Sequence, residues 1–398
     1  MSEGPLDHLT VVDFSRYRAG PWCSNLLGEL GAEVIKIERP GTGDPARASH
    51  PQQAGMGVSF IPRNRNKKSV AVDLKTDEGR AVVEEIVAGA DVLVENFSRG
   101  VLERLGLGYD YLSTEVNPGL IYVAVRGYGQ EGPDRDRKGL DLVMQAEGGL
   151  MSVTGTADGE EVKVGQAVGD IGAGLYATVG VLAALVHRER TGEGQRVDTS
   201  LFGTVVSFME EYLTMYGITG ENPRPRGTTH QTLVPYELFD TADGEMALNV
   251  PGHRWEAFVT DVLEAPGLAD YDSQRLRQEH YDEIMAVLRP AMRERTTAEW
   301  REILDELGCP NGPLNRVSDV VDHPQARDRE YVFEYDDDNV GAVLLHGHPL
   351  ELSATPGSVR SGPPLLGEHT GEVLREHAGL SEADIEALLA ADAVAGDV

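Results

Sequence analysis

Short runs of β-branched and other apolar residues alternate with stretches of helical periodicity from the start of the chain. Leu9 to Phe14, Glu33 to Ile37, Ser69 to Leu74, Asp91 to Phe97 and Leu120 to Val125 read as strands. A helix from Trp22 to Leu30 lies between the first two. After Thr76, Val82, Val83, Ile86 and Val87 share one helical face that can pack on a sheet. This alternation predicts an α/β fold with a parallel sheet covered by helices. The longest apolar run, Ile171 to Val186, predicts a long helix following Asp170, ending in the charged turn His187 to Gly194, with Arg196 to Leu201 as a further strand. The run contains three glycines and falls short of the roughly 20 residues a membrane span needs. A core helix, and no membrane partner, is the expectation.

The pattern changes at Asn222 to Thr229, which is rich in proline, arginine and threonine and reads as a linker. Beyond it Val234 to Phe239 and Glu245 to Val250 flank an Asp243-Gly244 turn, the signal of a hairpin. Helices follow, one opened by a capping box at Thr296 and Glu299 and closed near Gly308. This is a second, smaller domain. Val340 to Leu352 reads as extended, and Ser381 to Ala391 as an acidic helix opened by Ser381 and Asp384.

At 398 residues and 40% apolar content the chain has enough material for an enzyme-sized core. Its net charge is −31, and lysine is scarce: Lys36, Lys67, Lys68, Lys75, Lys138 and Lys163 are all there are. Such a surface repels nucleic acid and anionic membranes. It suits a protein kept soluble in concentrated salt, and a halophilic host is the expectation. Met1 to Thr10 lacks the basic start and apolar run of a signal peptide, so the expected location is the cytoplasm. Cys23 and Cys309 form neither a disulfide framework nor a zinc site on their own.

No G-x-G-x-x-G follows the first strand, and neither G-x-x-x-x-G-K-[ST] nor G-x-S-x-G occurs. His346 and His348 lack partners of metal-site spacing and read as part of a surface strand, and no metal site is expected. The informative segment is Val168 to Gly174, a carboxylate, Asp170, among glycines ahead of the long helix. Glycines there allow close backbone approach, and helix-terminal amides favour an anion. Spacing alone favours a capping aspartate over a catalytic one.

Several segments resemble a known family in order. They are Leu9 to Arg47, Asn66-Lys67-Lys68-Ser69, Asp73-Leu74-Lys75, the run ending at Phe97, Gly127 to Pro133, the Asp170 segment, His187 to Val197, and Pro363 to Leu374. Together they resemble the class III CoA transferases, the family of formyl-CoA transferase, carnitine CoA transferase and the α-methylacyl-CoA racemases, over nearly the whole chain. The resemblance implies a large Rossmann-like domain built from both chain ends, residues 1–200 and 335–398, and a small α+β middle domain, residues 228–325. Residues 201–227 and 326–334 are the expected linkers, and two chains interlock as a homodimer.

By the same resemblance Asp170 falls on the nucleophile. Arg39, Leu74, Lys75, Asn96, Phe97, Arg104 and Lys138 fall on CoA-contacting positions, and Arg18 and Ala19 join them. Arg16, Leu140, Asp141 and His230 are the expected substrate-side residues. No prosthetic group is implied; a CoA thioester is the substrate. Two departures matter. Leu140 stands before Asp141 where the racemase branch has a histidine, which favours transfer over α-proton exchange. Arg18 replaces the glutamine of formyl-CoA transferase, and Thr228 to Thr232 replace its glycine run, which argues against formyl and oxalyl substrates. The expected reaction moves CoA from an acyl-CoA, succinyl-CoA by preference, to a small carboxylic acid, a dicarboxylate such as mesaconate or citramalate. An acyl-CoA racemase and a non-catalytic CoA-binding protein are the alternatives. Amides near Gly148 and Gly149, or around Arg18 and Ala19, are candidate oxyanion donors.

Overall fold

The computed structural model describes residues 4–397. Met1 to Glu3, on which part of the signal-peptide reading rests, lie outside them. The chain divides into two compact units, one of residues up to Leu150 with Val164–Glu211 and Pro324 onward, the other of Met151–Lys163 and Tyr212–His323.

The first unit holds a seven-stranded sheet. Its strands are β1 (Thr10–Asp13), β2 (Glu33–Glu38), β3 (Lys67–Val72), β4 (Val92–Glu95), β5 (Ile121–Arg126), β6 (Gln195–Ser200) and β7 (Val394–Ala395). The order is β7-β3-β2-β1-β4-β5-β6, parallel throughout except for β7, which runs antiparallel at the edge beside β3. The strands are nearly continuous apolar runs because both faces are covered. On one face Val11, Val92, Val94 and Val123 pack with α1 (Ala19–Glu29) and, further along the chain, the long helix Val168–Thr191. On the other, Val12, Ile35, Val70 and Leu93 meet α2 (Asp77–Ala88) and the helix Thr370–His377. Strand order reverses direction at β1, so the loops leaving β1 and β4 diverge and open a crevice at their carboxyl ends.

The long helix has 24 residues and passes the length and apolarity of a membrane span, which corrects the estimate made from the apolar run alone. Half of its most apolar window is buried against the rest of the protein. It begins at Val168, so Asp170 lies inside its first turn rather than ahead of it.

Several expectations need correction. The segment 201–227 is no simple linker, since Leu201–Phe208 and Glu210–Thr219 are helical. The segment 326–334 contains the end of a helix, Pro324–Asp328, and the start of a strand, Val332–Asp337. That strand pairs with Gly341–His346. His346 and His348 do not face solvent: the His346 ring lies 5.2 Å from Trp22, and His348 Nε2 lies 3.9 Å from Glu29.

In the second unit Tyr236–Asp240 and Glu245–Asn249 form the hairpin expected from Asp243-Gly244, with Asn311–Pro313 added beside the second strand. Trp255, Phe258, Met285, Leu288, Trp300 and Leu304 form its core. The capping boxes at Thr296/Glu299 and Ser381/Asp384 are both formed.

Candidate active site

The crevice is built from the loops that follow the strands. After β1 the chain turns through Tyr17 at φ 67°, a left-handed conformation for which glycine is the usual choice. The turn is held from three sides. The Tyr17 N–H donates to Asp44 at 3.1 Å, the Tyr17 carbonyl accepts from Arg63 Nη1 at 3.2 Å, and Lys36 Nζ donates to the Ser15 carbonyl at 2.7 Å. Across the switch point Asn96, after β4, binds Arg16 reciprocally: its Oδ1 accepts the Arg16 N–H at 2.8 Å and its Nδ2 donates to the Arg16 carbonyl at 2.7 Å. The Arg16 guanidinium stacks 4.6 Å over the Phe97 ring. A tight βα turn thus forms without the glycine fingerprint whose absence was noted.

Beneath this turn lies a buried ionic cluster. Lys67 Nζ donates to Asp13 Oδ2 at 2.9 Å and to Ser24 Oγ at 2.8 Å, and Lys36 Nζ sits 3.2 Å from Asp44. Burial opposes ionisation of Asp13, but Lys36 and Lys67 overcome it and hold its pKa well below the usual carboxylate range. Two of the chain's few lysines are therefore committed to bracing the site.

Asp170 stands on α4, the long helix Val168–Thr191, with α3 (Asp141–Glu147) alongside. The residue ahead of α4, Ala167, makes no side-chain cap. The capping role falls to Asp141, whose Oδ1 accepts the N–H of Gly169 at 2.8 Å and of Asp170 at 3.4 Å. A Cβ on Gly169 would lie 3.0 Å from that oxygen, and one on Gly174 would lie 2.7 Å from the Ala19 carbonyl, so these glycines set how closely α4 approaches Asp141 and α1. Gln145, fully buried, donates to Asp141 Oδ2 at 2.5 Å and accepts the Val164 N–H at 2.8 Å.

The Asp170 carboxyl is left free of structural duty, and its pKa is raised to about 6 by burial and by the Asp141 charge, against the pull of Arg18 and Arg63. It opens into a cavity of about 940 Å³ lined by seven arginines and Lys138, against three carboxylates, Asp136, Asp141 and Asp170. In a chain of net charge −31 this is a strong local inversion of sign. A second cavity of about 800 Å³ adjoins it through Arg16, Pro45 and Phe97.

Of the residues expected at the site, Arg16, Arg18, Ala19, Asn96, Phe97, Lys138, Leu140, Asp141 and Asp170 line the first cavity. Arg39, Leu74, Lys75 and Arg104 line the second. His230 lines neither; it belongs to the other unit, where its Nδ1 accepts the N–H of Thr232 at 3.1 Å and its ring meets Tyr236. Gly148 and Gly149 are not free oxyanion donors, because their N–H groups are spent on Met144 and Ala146 carbonyls. The amino end of α1, which has no side-chain cap, retains Ala19 in the cavity wall. Sequence reasoning missed Arg63 and Arg126 in the cavity wall, and Gln166, whose Oε1 accepts from Arg18 Nη1 at 3.3 Å; the first lies in the Arg63-Asn64-Arg65 run beside Lys67-Lys68, an unusual density of cations here. Glu33, Glu376 and His377 could form a metal-binding group, but Lys68 Nζ lies 2.6 Å from Glu33 and 3.5 Å from Glu376, so a side-chain cation already occupies the cluster.

Comparison with known proteins bears on this geometry. Residues 6–370 match the model of CoA-transferase family III. The succinyl-CoA:glutarate CoA-transferase of Mus musculus is 36% identical over 97% of this chain and 89% of its own length. The succinyl-CoA:mesaconate CoA-transferase of Haloarcula marismortui is 39% identical over 94% and 96%. A CAIB/BAIF family protein from Brucella suis superposes with a TM-score of 0.84 at 33% identity, covering 94% of this chain and all of that one. The chain, a crevice of cations around one uncommitted aspartate on a doubly wound sheet, belongs to CoA-transferase family III and is an enzyme of that class.

Proposed function

We propose that this enzyme moves CoA from succinyl-CoA to a small dicarboxylate of the mesaconate or citramalate kind, with Asp170 as the covalent carrier. The observation that carries the reading is that Asp170 sits in the first turn of α4 while Asp141 does the capping, so the buried carboxyl at the cation-lined cavity has no structural task.

The Asp170 carboxylate attacks the thioester carbonyl, giving an aspartyl acyl anhydride and CoA thiolate. The thiolate attacks the aspartyl carbonyl, forming an enzyme–CoA thioester and releasing the donor acid as its carboxylate. The acceptor carboxylate attacks that thioester, regenerating an anhydride and thiolate. The thiolate then takes the acceptor's acyl carbon and Asp170 leaves as carboxylate. One thioester replaces another, so neither water nor an external energy source enters. A carboxylate is a weak nucleophile, and partial desolvation of Asp170 raises its reactivity. The open amino end of α1 at Arg18 and Ala19 is the better-supported oxyanion donor. The second cavity, with Arg39, Lys75 and Arg104 for phosphates and Leu74 and Phe97 for the base, suits the nucleotide end of CoA.

The acceptors named for the mouse and Haloarcula relatives, and for the succinyl-CoA–D-citramalate CoA-transferase of Chloroflexus aurantiacus, are all dicarboxylates, which supports the substrate class. Proton exchange next to a thioester would need a base, and both oxygens of Asp141 are already engaged. A homodimer is part of the proposal: Leu175, Tyr176, Val179, Leu182 and Val186 form an exposed apolar ridge along α4 that a second chain would cover.

Mass spectrometry after incubation with succinyl-CoA tests the reading. A hydroxylamine-sensitive CoA adduct on the peptide bearing Asp170 is the expected result, and an unmodified peptide across several acyl-CoAs overturns it.

A further inference from the structure

Among the described residues, the buried cations of the first unit come with carboxylates, with one exception. Arg65 pairs with Glu29, Arg126 with Glu95, Lys36 with Asp44 and Lys67 with Asp13. Arg63 is 7% exposed and, among the described residues, has no carboxylate within ion-pair distance. It ends a short 3-10 turn, Ile61–Arg63, anchored by the apolar cluster of Phe60, Ile61, Val343 and Leu345. Its Nη1 is held by the carbonyls of Tyr17 and Ser59. That fixes the fork in one orientation and leaves Nε and Nη2 without a partner among the described residues. The guanidinium lines the same cavity as Asp170 and Arg18, and burial together with Arg18 pushes its pKa down to about 10. A desolvated cation beside another cation is costly unless an anion completes the group.

We infer that Arg63, with Arg18 beside it, binds the distal carboxylate of the acyl group and selects dicarboxylic over monocarboxylic substrates. The inference rests on Asp170 being the acyl-accepting residue, because that places the acyl chain in this cavity. Charge through the cycle supports the assignment. Once Asp170 is esterified to CoA it is neutral, and the two guanidinium groups lose the carboxylate that faces them. An acceptor with a single carboxylate spends its charge in attacking the thioester. A dicarboxylate has a second one, and a planar, immobilised fork suits it.

Arg63→Gln keeps donors for the Tyr17 and Ser59 carbonyls while removing the charge, and Arg63→Lys keeps the charge without the fork. Binding of succinate and of butyrate to the wild-type enzyme and both variants, by equilibrium dialysis, is the measurement, with transfer from succinyl-CoA and butyryl-CoA run in parallel. The expected result is that wild type prefers succinate and that Arg63→Gln loses that preference at least about tenfold, as a charge-assisted pair would, with butyrate unaffected and Arg63→Lys intermediate. Equal weakening for both acids, or an unchanged preference, overturns the role of Arg63. Absence of transfer by the wild type from either thioester would overturn the reaction instead, while the succinate-to-butyrate binding ratio still decides the role of Arg63.

Discussion

Asp141 Oδ1 lies 2.8 Å from the amide nitrogen of Gly169, one residue before Asp170, and so caps the helix that carries the proposed nucleophile. The same contact places a negative charge beside Asp170 and raises its pKa. Asp141 therefore acts on Asp170 twice, by position and by field. Replacing it with alanine removes a cap, which costs about 1 kcal/mol of stability, and removes the like charge. Thermal unfolding should show the first effect. The second should appear as a pH–rate midpoint displaced toward acid relative to wild type; an unmoved midpoint would mean that the field is unimportant.

The ionisation of Asp170 gives two pH dependences of opposite sense. In the proposed mechanism the attacking form of Asp170 is its carboxylate, so kcat/KM for transfer should rise with pH through about 6 and level off above it. Stability runs the other way. The folded-state pKa is raised above the ordinary 3.8, so the folded protein holds this proton more tightly than the unfolded chain does. Its contribution is present below the unfolded value and is lost as pH rises from there through about 6. Asp170→Asn should therefore abolish transfer yet raise stability at neutral pH by roughly 1–3 kcal/mol, with little gain near pH 4. A variant equally stabilised at both pH values would contradict this origin.

How much of this was legible in the sequence depends on the distance over which each feature is encoded. The strands from β1 to β6 and the helix bearing Val82, Val83, Ile86 and Val87 were readable because apolar periodicity is local. Asp170 could be found but not interpreted, since its capping alternative fails only when Asp141, twenty-nine positions earlier, is seen to do the job. Arg63 was invisible for the same reason. Nothing in Ile61-Pro62-Arg63 distinguishes a solvated arginine from one buried against Tyr17, forty-six positions away. The helices within 201–219 were missed because a proline-rich stretch just beyond them dominated the reading.

The buried cluster under the β1–α1 turn makes a stability prediction. Lys67→Met leaves Asp13 without its nearest cation, and the remaining ammonium of Lys36 is 3.8 Å away. Breaking a buried pair from one side typically costs about 3–5 kcal/mol. Denaturant unfolding of Lys67→Met, Asp13→Asn and the double variant should show each single change destabilising by roughly that amount, and the double change by clearly less than their sum. Additive losses would show that the two side chains do not act as a pair.

The excess of 66 acidic over 35 basic residues predicts a dependence on salt. Repulsion among surface carboxylates favours the unfolded chain, where the same charges lie further apart. Screening reaches only about 10 Å at 0.1 M salt and about 3 Å at 1 M, so the repulsion should fade across that interval. Melting temperature should therefore climb with potassium chloride from millimolar to molar concentrations, and sodium chloride should act alike because charge screening does not depend on which monovalent cation supplies it. The gain should also flatten once screening is complete, whereas salts that act by exclusion from the protein surface keep stabilising with concentration. Binding of CoA should weaken over the same range, because the proposed seat of its phosphates, the cavity lined by Arg39, Lys75 and Arg104, would hold them through the forces that salt screens. A melting temperature indifferent to chloride would mean that the surface charges are already compensated by spacing, and the halophilic origin would lose its support.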